Sequence, residues 1–296
     1  MRRIEDKDWE VLLLRIRDGR CTPFLGPGVY SEGPSLRTAV AQKWATQYEY
    51  PLADSTDLAR VARFVNAHFG DAEYASGKYI DELKNVALPN FDDPSDPYTV
   101  LARLPLPVYI TTNYDDFMEQ ALTKQNRDVK KDLCKWIKSI EESSPIADQG
   151  FKPDVANPTV FHLYGYAPNP QSFVLSEDDF FQFLINVSTT PELIPNRIQK
   201  AITGNSIMLL GYSLEDWDFR VLFHFLAGYL KSSTSKTHVA VQISPTHEDQ
   251  DIKQRAQAFF DKYFESRSPD IRVNWDTTQE FVTKLKAKWE ESGYAT

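Results

Sequence analysis

Four short segments of the chain combine glycine or polar residues that can do chemistry with an apolar run directly before or within them. They are residues 24–33, 111–116, 161–165 and 209–216. Glycine turns let backbone amides approach a phosphate closely, a carboxamide can orient a water or a sugar hydroxyl, and a neutral imidazole accepts a proton near neutral pH. The four segments are therefore the candidate site, and they favour a ligand that carries phosphate and sugar groups.

Two of these segments are glycine turns. Gly26 and Gly28 flank Pro27 in the first, and Gly211 precedes Ser213 in the fourth. The first turn has neither the G-x-G-x-x-G spacing nor the lysine of a P-loop, so a plain turn explains it as well as a phosphate site does. In the fourth segment Ser213 can simply cap the following helix, although the same geometry suits a phosphate or a ribose hydroxyl.

The other two segments supply the reactive polar groups. Asn113 and Asp115 follow an apolar run, and His162 lies near the end of another, just before Gly165. Either Asn113 or Asp115 can be an ordinary helix cap. A lone histidine in an apolar strand is most often a core residue with satisfied hydrogen bonds. At the end of a strand, however, His162 can take a proton from a water or a sugar hydroxyl.

The elements that must position these groups are short strands alternating with helices. Apolar runs predict strands at residues 21–25, 108–111, 159–163, 206–210, 238–243 and 271–275. Such an alternation favours a mostly parallel sheet covered on both faces, with ligands bound outside the carboxyl ends of the strands. The polar stretch 127–157 is expected to be a surface excursion.

Composition excludes several classes of protein. The 296 residues include 33 basic and 42 acidic side chains, a net charge of −9, which disfavours direct nucleic-acid binding. Two cysteines, Cys21 and Cys134, cannot form a four-thiolate zinc site, and we predict no metal. No apolar run reaches the roughly 20 residues of a membrane helix, and the N-terminus lacks a secretory signal. We therefore expect a soluble, cytoplasmic protein.

In this order along the chain, the four segments resemble the SIR2-like family. The matching motifs are GPGVYSEG at 26–33, TTNYD at 111–115, FHLYG at 161–165 and LLGYS at 209–213 followed by Asp216. The resemblance is closer to the bacterial SIR2-like proteins of antiphage defence than to the sirtuin deacylases. It implies an α/β fold with a Rossmann-like, mostly parallel sheet, helices on both faces and an inserted smaller helical module.

The resemblance extends over most of the chain, so residues 1–296 are interpreted as a single SIR2-like domain. The Rossmann-like core is expected at about 8–50, 100–126, 158–176 and 204–292, and helical insertions at about 51–98 and 177–203. Within this scheme Val174 and Leu175 form an edge strand that precedes an acidic helix start.

The resemblance also implies an activity and roles for single residues. The activity is hydrolysis of the N-glycosidic bond of NAD⁺ to nicotinamide and ADP-ribose, with NAD⁺ as substrate and no prosthetic group. Asn113 corresponds to the residue that places the attacking water and the ribose, Asp115 to the acid at the nicotinamide end, and His162 to the general base. Contacts with the dinucleotide are implied for Gly26, Gly28, Ser31, Glu32, Thr111, Gly211, Ser213 and Asp216.

Two departures from the family pattern leave alternatives open. Pro27 stands where the family has alanine and lacks an amide proton for a phosphate, and Ser31 arrives one position late. The four-cysteine zinc ribbon of true sirtuins is missing, which argues against peptide deacylation more than against dinucleotide cleavage. The alternative to the hydrolase is a catalytically silent NAD⁺ or ADP-ribose sensor, or a scaffold subunit.

The resemblance also predicts partners. Defence effectors of this family act only when infection is sensed, which implies a homo-oligomer or an activating protein such as a HerA-type ATPase or an Argonaute-type subunit. Neither direct binding of nucleic acid nor membrane contact is expected.

Overall fold

The computed structural model describes residues 4–30, 35–140, 144, 146, 151–213, 217–230, 238–243, 250–267 and 271–294. The strands are β1 Cys21–Leu25, β2 Val108–Thr111, β3 Lys130–Leu133, β4 Thr159–His162, β5 Ser206–Ser213, β6 His238–Ile243 and β7 Ile271–Asn274. The helices are α1 Asp6–Arg17, α2 Leu36–Gln47, α3 Leu58–Phe69, α4 Tyr74–Leu83, α5 Pro97–Arg103, α6 Phe117–Lys124, α7 Glu177–Thr189, α8 Asn196–Gly204, α9 Trp217–Leu230, α10 Gln250–Arg267 and α11 Thr278–Glu291.

The described strands form one sheet of seven strands in the order β3-β4-β2-β1-β5-β6-β7, and every pairing is parallel. Strand β1 pairs with β2 on one side and with β5 on the other, so the chain builds one half of the sheet and then returns to build the second. This reversal creates a crevice beyond the carboxyl ends of the central strands. The α/β, Rossmann-like prediction is therefore confirmed.

Two separate apolar cores cover the sheet, because successive side chains of a strand point to opposite faces. Ile110 and Leu209 enter the core formed with α2, α3, α7, α8 and α9. Their neighbours Tyr109 and Leu210 enter the core formed with α1, α5, α6 and α11. Each large side chain buried in this way stabilises the fold by roughly 1.5–3 kcal/mol. The central strands are consequently rigid supports for the loops that follow them.

The starts of α7 and α3 are set by local hydrogen bonds. At the start of α7 the Ser176 hydroxyl accepts from the Asp179 amide, and the Asp179 carboxylate accepts from the Ser176 amide. Asp57 caps the start of α3, where its carboxylate accepts from two amides of the first turn. Gly70 caps the end of α3, and its φ of 65° suits glycine. These caps satisfy amides that a helix leaves unpaired.

The strand predictions agree with the structure at six places, and β5 continues beyond the predicted end to Ser213. The interpretation of 127–157 as a surface excursion is wrong, because β3 lies within it and pairs with β4 through Asp132 opposite Phe161. An edge strand has only one neighbour and tolerates polar residues such as Lys131, so the apolar signal was absent.

The expected edge strand at Val174 is also wrong. The preceding residues form a 3₁₀ turn, and the Val174 amide donates to the Tyr164 carbonyl without any ladder. Helix α7 does begin with the expected acidic turn.

None of the described helices combines the length and the apolar content needed to cross a membrane. Cys21 and Cys134 are both buried free thiols. Burial raises the pKa of Cys21 to about 12, so this thiol stays protonated at neutral pH and behaves as a small apolar side chain.

Candidate functional site

The four predicted segments meet at the carboxyl edge of four neighbouring strands, β4, β2, β1 and β5. Thr111 at the end of β2 lies opposite His162 at the end of β4. The Asn113 amide group donates to the Gly26 carbonyl at 3.0 Å, which joins the loop after β2 to the loop after β1. The Gly28 amide donates to the Gly211 carbonyl at 2.9 Å, which joins the β1 loop to the end of β5.

A cleft opens between these loops and the helical module formed by α2 to α4. Its cavity volume is about 60 Å³. Among the described residues its lining comprises Pro27, Tyr30, Leu36, Arg37, Tyr79, Leu83, Val86, Tyr98, Thr112, Asn113, Tyr114, Asp115 and Phe117. The wall is thus mostly aromatic and apolar, with a few convergent polar groups, as ligand sites usually are.

Asn113 is held in place from both ends. Its backbone amide donates to the Thr111 hydroxyl at 3.0 Å, and its side-chain nitrogen donates to the Gly26 carbonyl. The Tyr98 hydroxyl lies 3.5 Å from the same nitrogen. The side-chain nitrogen is therefore engaged as a donor. The amide oxygen is the acceptor of this side chain and can accept from a water or a sugar hydroxyl.

Asp115 lies on the cleft wall two residues before the start of α6. Its carboxylate accepts from the Phe117 amide at 3.2 Å. Burial, reinforced by the nearby charge of Glu119 and opposed by that hydrogen bond, raises the pKa of Asp115 to about 7. This carboxyl group therefore changes its charge close to neutral pH, which is typical of groups at functional sites.

His162 is completely buried and does not line the cleft. Its Nε2 lies 2.6 Å from Oε1 of Glu119, and its Nδ1 lies 3.3 Å from the Asn113 carbonyl oxygen. Burial alone would lower the pKa of His162. The charge and hydrogen bond of Glu119 outweigh that effect and raise it above the ordinary value. His162 is therefore part of a buried ion pair directly behind Asn113.

The glycines allow two loops to approach each other closely. A Cβ on Gly26 would lie 2.6 Å from the Tyr212 ring, and a Cβ on Gly211 would lie 2.4 Å from the Val29 nitrogen. The amides of Gly26 and Gly28 already donate to Leu210 and Gly211. In this arrangement they fasten the loops to each other, so phosphate contacts at these positions stay a prediction.

Of the remaining predicted site residues, two lie at the carboxyl edge of the sheet and three lie outside the described residues. Ser213 ends β5 at the same edge of the sheet, and Thr111 supports Asn113. The predicted contacts at Ser31, Glu32 and Asp216 lie outside the described residues. No group of three His, Cys, Asp or Glu side chains in the described part of the chain is arranged to hold a metal ion.

Sequence reasoning missed two charged residues of the site. Arg37, in the first turn of α2, is buried on the cleft wall, where its Nη1 donates to the Tyr114 hydroxyl at 3.3 Å. Glu119 on α6 forms the ion pair with His162. No spacing in the sequence marked Glu119, because Asp115 precedes α6 and only the packing of that helix brings Glu119 against His162.

Comparison with known proteins gives a consistent family assignment. The chain is similar to proteins called NAD(+) hydrolase ThsA. It is 24% identical to that of Acinetobacter baumannii (strain 532279) over 57% of this chain and 32% of that protein. It is 28% identical to that of Bacillus cereus (strain MSX-D12) over 54% and 30%. The identity to that of Enterococcus faecium is 23% over 71% and 41%.

The matched part spans only about a third of the length of these curated relatives. The model of the SIR2-like domain family matches residues 107–266, which include β2, β4, β5 and most of the cleft's polar groups. Because this match covers more than half of the chain, the chain belongs to the SIR2-like domain family.

Proposed function

We propose that this chain is an NAD⁺ glycohydrolase that cleaves NAD⁺ to nicotinamide and ADP-ribose. The observation that carries the proposal is the convergence of Asn113, Asp115 and His162 at the carboxyl edge of β2 and β4, beside a cleft at the sheet's reversal point. The resemblance to proteins named NAD(+) hydrolase supports it.

The chemistry needs little beyond positioning and charge. The pyridinium of NAD⁺ is already cationic and leaves as neutral nicotinamide, so no strong general acid is required. What the site must supply is stabilisation of an oxocarbenium-like ribose and an oriented water. In our proposal the ionised Asp115 stabilises the developing positive charge, and the amide oxygen of Asn113 orients the water or a ribose hydroxyl. His162, protonated between Glu119 and the Asn113 carbonyl, supports Asn113 from behind, and the proton of the water is released to solvent with the products.

The guanidinium of Arg37 on the cleft wall suits the pyrophosphate of NAD⁺. Arg37 is buried among the rings of Tyr114 and Phe180, each about 5.8 Å from its guanidinium carbon. A guanidinium offers several N–H donors in a fixed plane, which matches the geometry of a phosphate. We assign Arg37 to the pyrophosphate of the dinucleotide.

The test is a product assay on the purified chain. Incubation with NAD⁺, followed by chromatography, measures released nicotinamide and ADP-ribose. We expect Asn113→Ala and His162→Ala each to lose about 10²-fold or more in rate, the usual size for a catalytic base or an oriented polar group. His68→Ala, an exposed histidine on α3, is the matched control and keeps the wild-type rate.

Two outcomes would contradict this proposal. Calorimetric binding of NAD⁺ without release of nicotinamide would identify a sensor, the alternative that the missing amide of Pro27 supports. Normal turnover in a folded His162→Ala or Asn113→Ala variant would remove that residue from the mechanism.

We further propose that the enzyme depletes NAD⁺ in antiphage defence and that opening of the cleft is its controlled step. The cavity of about 60 Å³ is far below the roughly 300–1,000 Å³ of pockets that enclose small-molecule ligands, so NAD⁺ requires a wider cleft. Self-assembly predicts that specific activity rises with protein concentration. Control by a partner protein predicts low activity at every concentration until the partner is added.

A further inference from the structure

The buried pair of Glu119 and His162 is the best-defined polar contact near the cleft. The 2.6 Å contact between Oε1 and Nε2 is short, and His162 has no exposed surface. Neither residue belongs to the cleft lining, although both lie directly behind residues that do. Asn113 connects the pair to the cleft, because its carbonyl oxygen lies 3.3 Å from Nδ1 of His162.

The environment of Glu119 makes His162 its essential partner. The second carboxylate oxygen, Oε2, is buried and has no hydrogen-bond partner among the described residues. A buried carboxylate is costly unless an opposite charge faces it, and removing one member of such a pair leaves the other uncompensated. The imidazolium form of His162 is the group that can provide this compensation.

Two further groups face His162, the Asp115 carboxyl group and the Tyr166 ring. The Asp115 carboxyl group adds a second negative charge from the loop before α6. The Tyr166 ring lies 4.8 Å from the imidazole, centroid to centroid, and the Lys131 ammonium of β3 lies 3.4 Å from the centroid of the Tyr166 ring. Among these groups, Glu119 makes the hydrogen-bonded contact with the side chain of His162.

We propose that Glu119 is a positioning residue for the reaction: its carboxylate accepts from Nε2 of His162, keeps the ring protonated and fixes its orientation, and so keeps Nδ1 directed at the Asn113 carbonyl. Glu119 acts through His162 and Asn113 without touching the substrate. This inference rests on the proposed hydrolase function for its catalytic consequence, whereas the Glu119–His162 charge coupling can be measured without turnover.

The first experiment measures that coupling by NMR titration of the 296-residue chain labelled with ¹⁵N-histidine, with the His162 signal assigned from the His162→Ala spectrum. In Glu119→Gln the amide keeps the shape and a hydrogen bond but removes the charge. We expect the His162 titration midpoint to move to lower pH. Asp116→Asn removes a charge from the same helix start but contacts Gln120, and it leaves the His162 midpoint in place. An unchanged midpoint in Glu119→Gln overturns the proposal.

The second experiment asks whether the coupling matters for the reaction. Loss of the Glu119 charge lowers the pKa of both His162 and Asp115, so the acid limb of the kcat profile in Glu119→Gln moves to lower pH. Glu119→Ala, which also removes the hydrogen bond, loses about tenfold or more in kcat with KM little changed.

The possible failures are distinguishable. Wild-type chain that releases no nicotinamide under any condition contradicts the proposed function, while the NMR midpoint still decides the coupling. The positioning role is contradicted if the wild type turns over NAD⁺ and the acid limb of its kcat–pH profile lies at the same pH as that of Glu119→Gln. Matching thermal unfolding midpoints for wild type and Glu119→Gln ensure that both comparisons use folded protein.

Discussion

Asp115 combines a place in the cleft lining with a carboxyl group whose pKa is raised by burial. It lies on the cleft wall, and burial raises the pKa of its carboxyl group to about 7, from an ordinary value of 3.8. A raised pKa means that the fold favours the protonated form. The stability that this preference contributes is complete below the unfolded pKa and is lost as the pH rises through about 7.

Replacing Asp115 with asparagine should therefore stabilise the protein in a pH-dependent way. Asparagine cannot ionise, so Asp115→Asn avoids the cost of a buried negative charge above pH 7. We expect its melting temperature at pH 8 to exceed that of the wild type by a few degrees, and the difference to shrink as the pH is lowered toward 4. Thermal unfolding monitored by circular dichroism across this range provides the measurement.

The same variant should lose most of its NAD⁺ cleavage, because a functional charge is often maintained at the expense of stability. Asp178→Asn, which removes an exposed carboxylate from the first turn of α7, is the control for both effects. If Asp115→Asn melted below wild type at pH 8, the carboxylate would be a stabilising group and this account of its pKa would be wrong.

Arg37 provides a second prediction at the residue scale. If its guanidinium binds the pyrophosphate, Arg37→Gln raises KM for NAD⁺ about tenfold or more and leaves kcat nearly unchanged, because the contact is equal in ground and transition states. Arg37→Lys keeps the charge and loses less. Arg63→Gln, which breaks an exposed ion pair with Glu177 on another helix, is the control. A fall in kcat with constant KM would place Arg37 in the chemical step.

At the scale of elements, the site depends on how closely the end of β5 approaches the loop after β1. Gly211 has a φ of 74°, and the same position coincides with a register shift between β5 and β6. The Gly28 amide donates to the Gly211 carbonyl across this contact. Two backbones can come this near only when one of them carries no Cβ.

Gly211→Ala should therefore be strongly destabilising. Its Cβ would lie 2.4 Å from the backbone nitrogen of Val29 at a positive φ, so the free energy of unfolding should fall by about 2 kcal/mol or more. Gly204→Ala is the matched control, because nothing lies within 4 Å of its Cβ and the residue ends α8. That variant should be unchanged or up to about 1 kcal/mol more stable. Urea denaturation compares the three proteins, and equal midpoints would refute the close-approach argument.

At the scale of the whole molecule, the cleft is built between the sheet edge and the helical module of α2 to α4. The Tyr114 hydroxyl donates to the Val174 carbonyl at 2.7 Å, and its ring stacks on Phe173 at 4.2 Å. Tyr79 of α4, in the helical module, packs edge-on against the Tyr114 ring, with 5.3 Å between the ring centroids. A ligand that binds in the cleft would contact both the sheet edge and the helical module. We therefore expect such a ligand to stabilise the folded protein against unfolding.

Added NAD⁺ should raise the melting temperature of the non-cleaving His162→Ala variant. Binding to the folded state alone contributes about 2.7 kcal/mol at a ligand concentration one hundred times Kd, which corresponds to a shift of several degrees for a chain of this size. Differential scanning fluorimetry over a series of NAD⁺ concentrations measures the dependence, with nicotinamide alone as the control. A melting temperature independent of NAD⁺ would mean that the isolated chain does not bind the dinucleotide.

The amino-acid sequence by itself determined the central architecture and the order of the motifs. The apolar runs that became β1, β2, β4 and β5 are buried on both faces, so their hydrophobicity is continuous and visible in the sequence. The rule that ligands bind at the carboxyl ends of parallel strands then predicted that Asn113 and His162 would lie near each other. Thr111 opposite His162 confirms that proximity.

Only the tertiary structure decided which groups face the cleft and which lie behind it. Asp115 lines the cleft, whereas His162 is buried against Glu119. The packing of α6 on the sheet brings Glu119 against His162. The sequence pattern does not predict that packing. Edge strand β3 and the inward position of Arg37 were hidden for the same reason, because polar residues signal burial only when a fold supplies their partners.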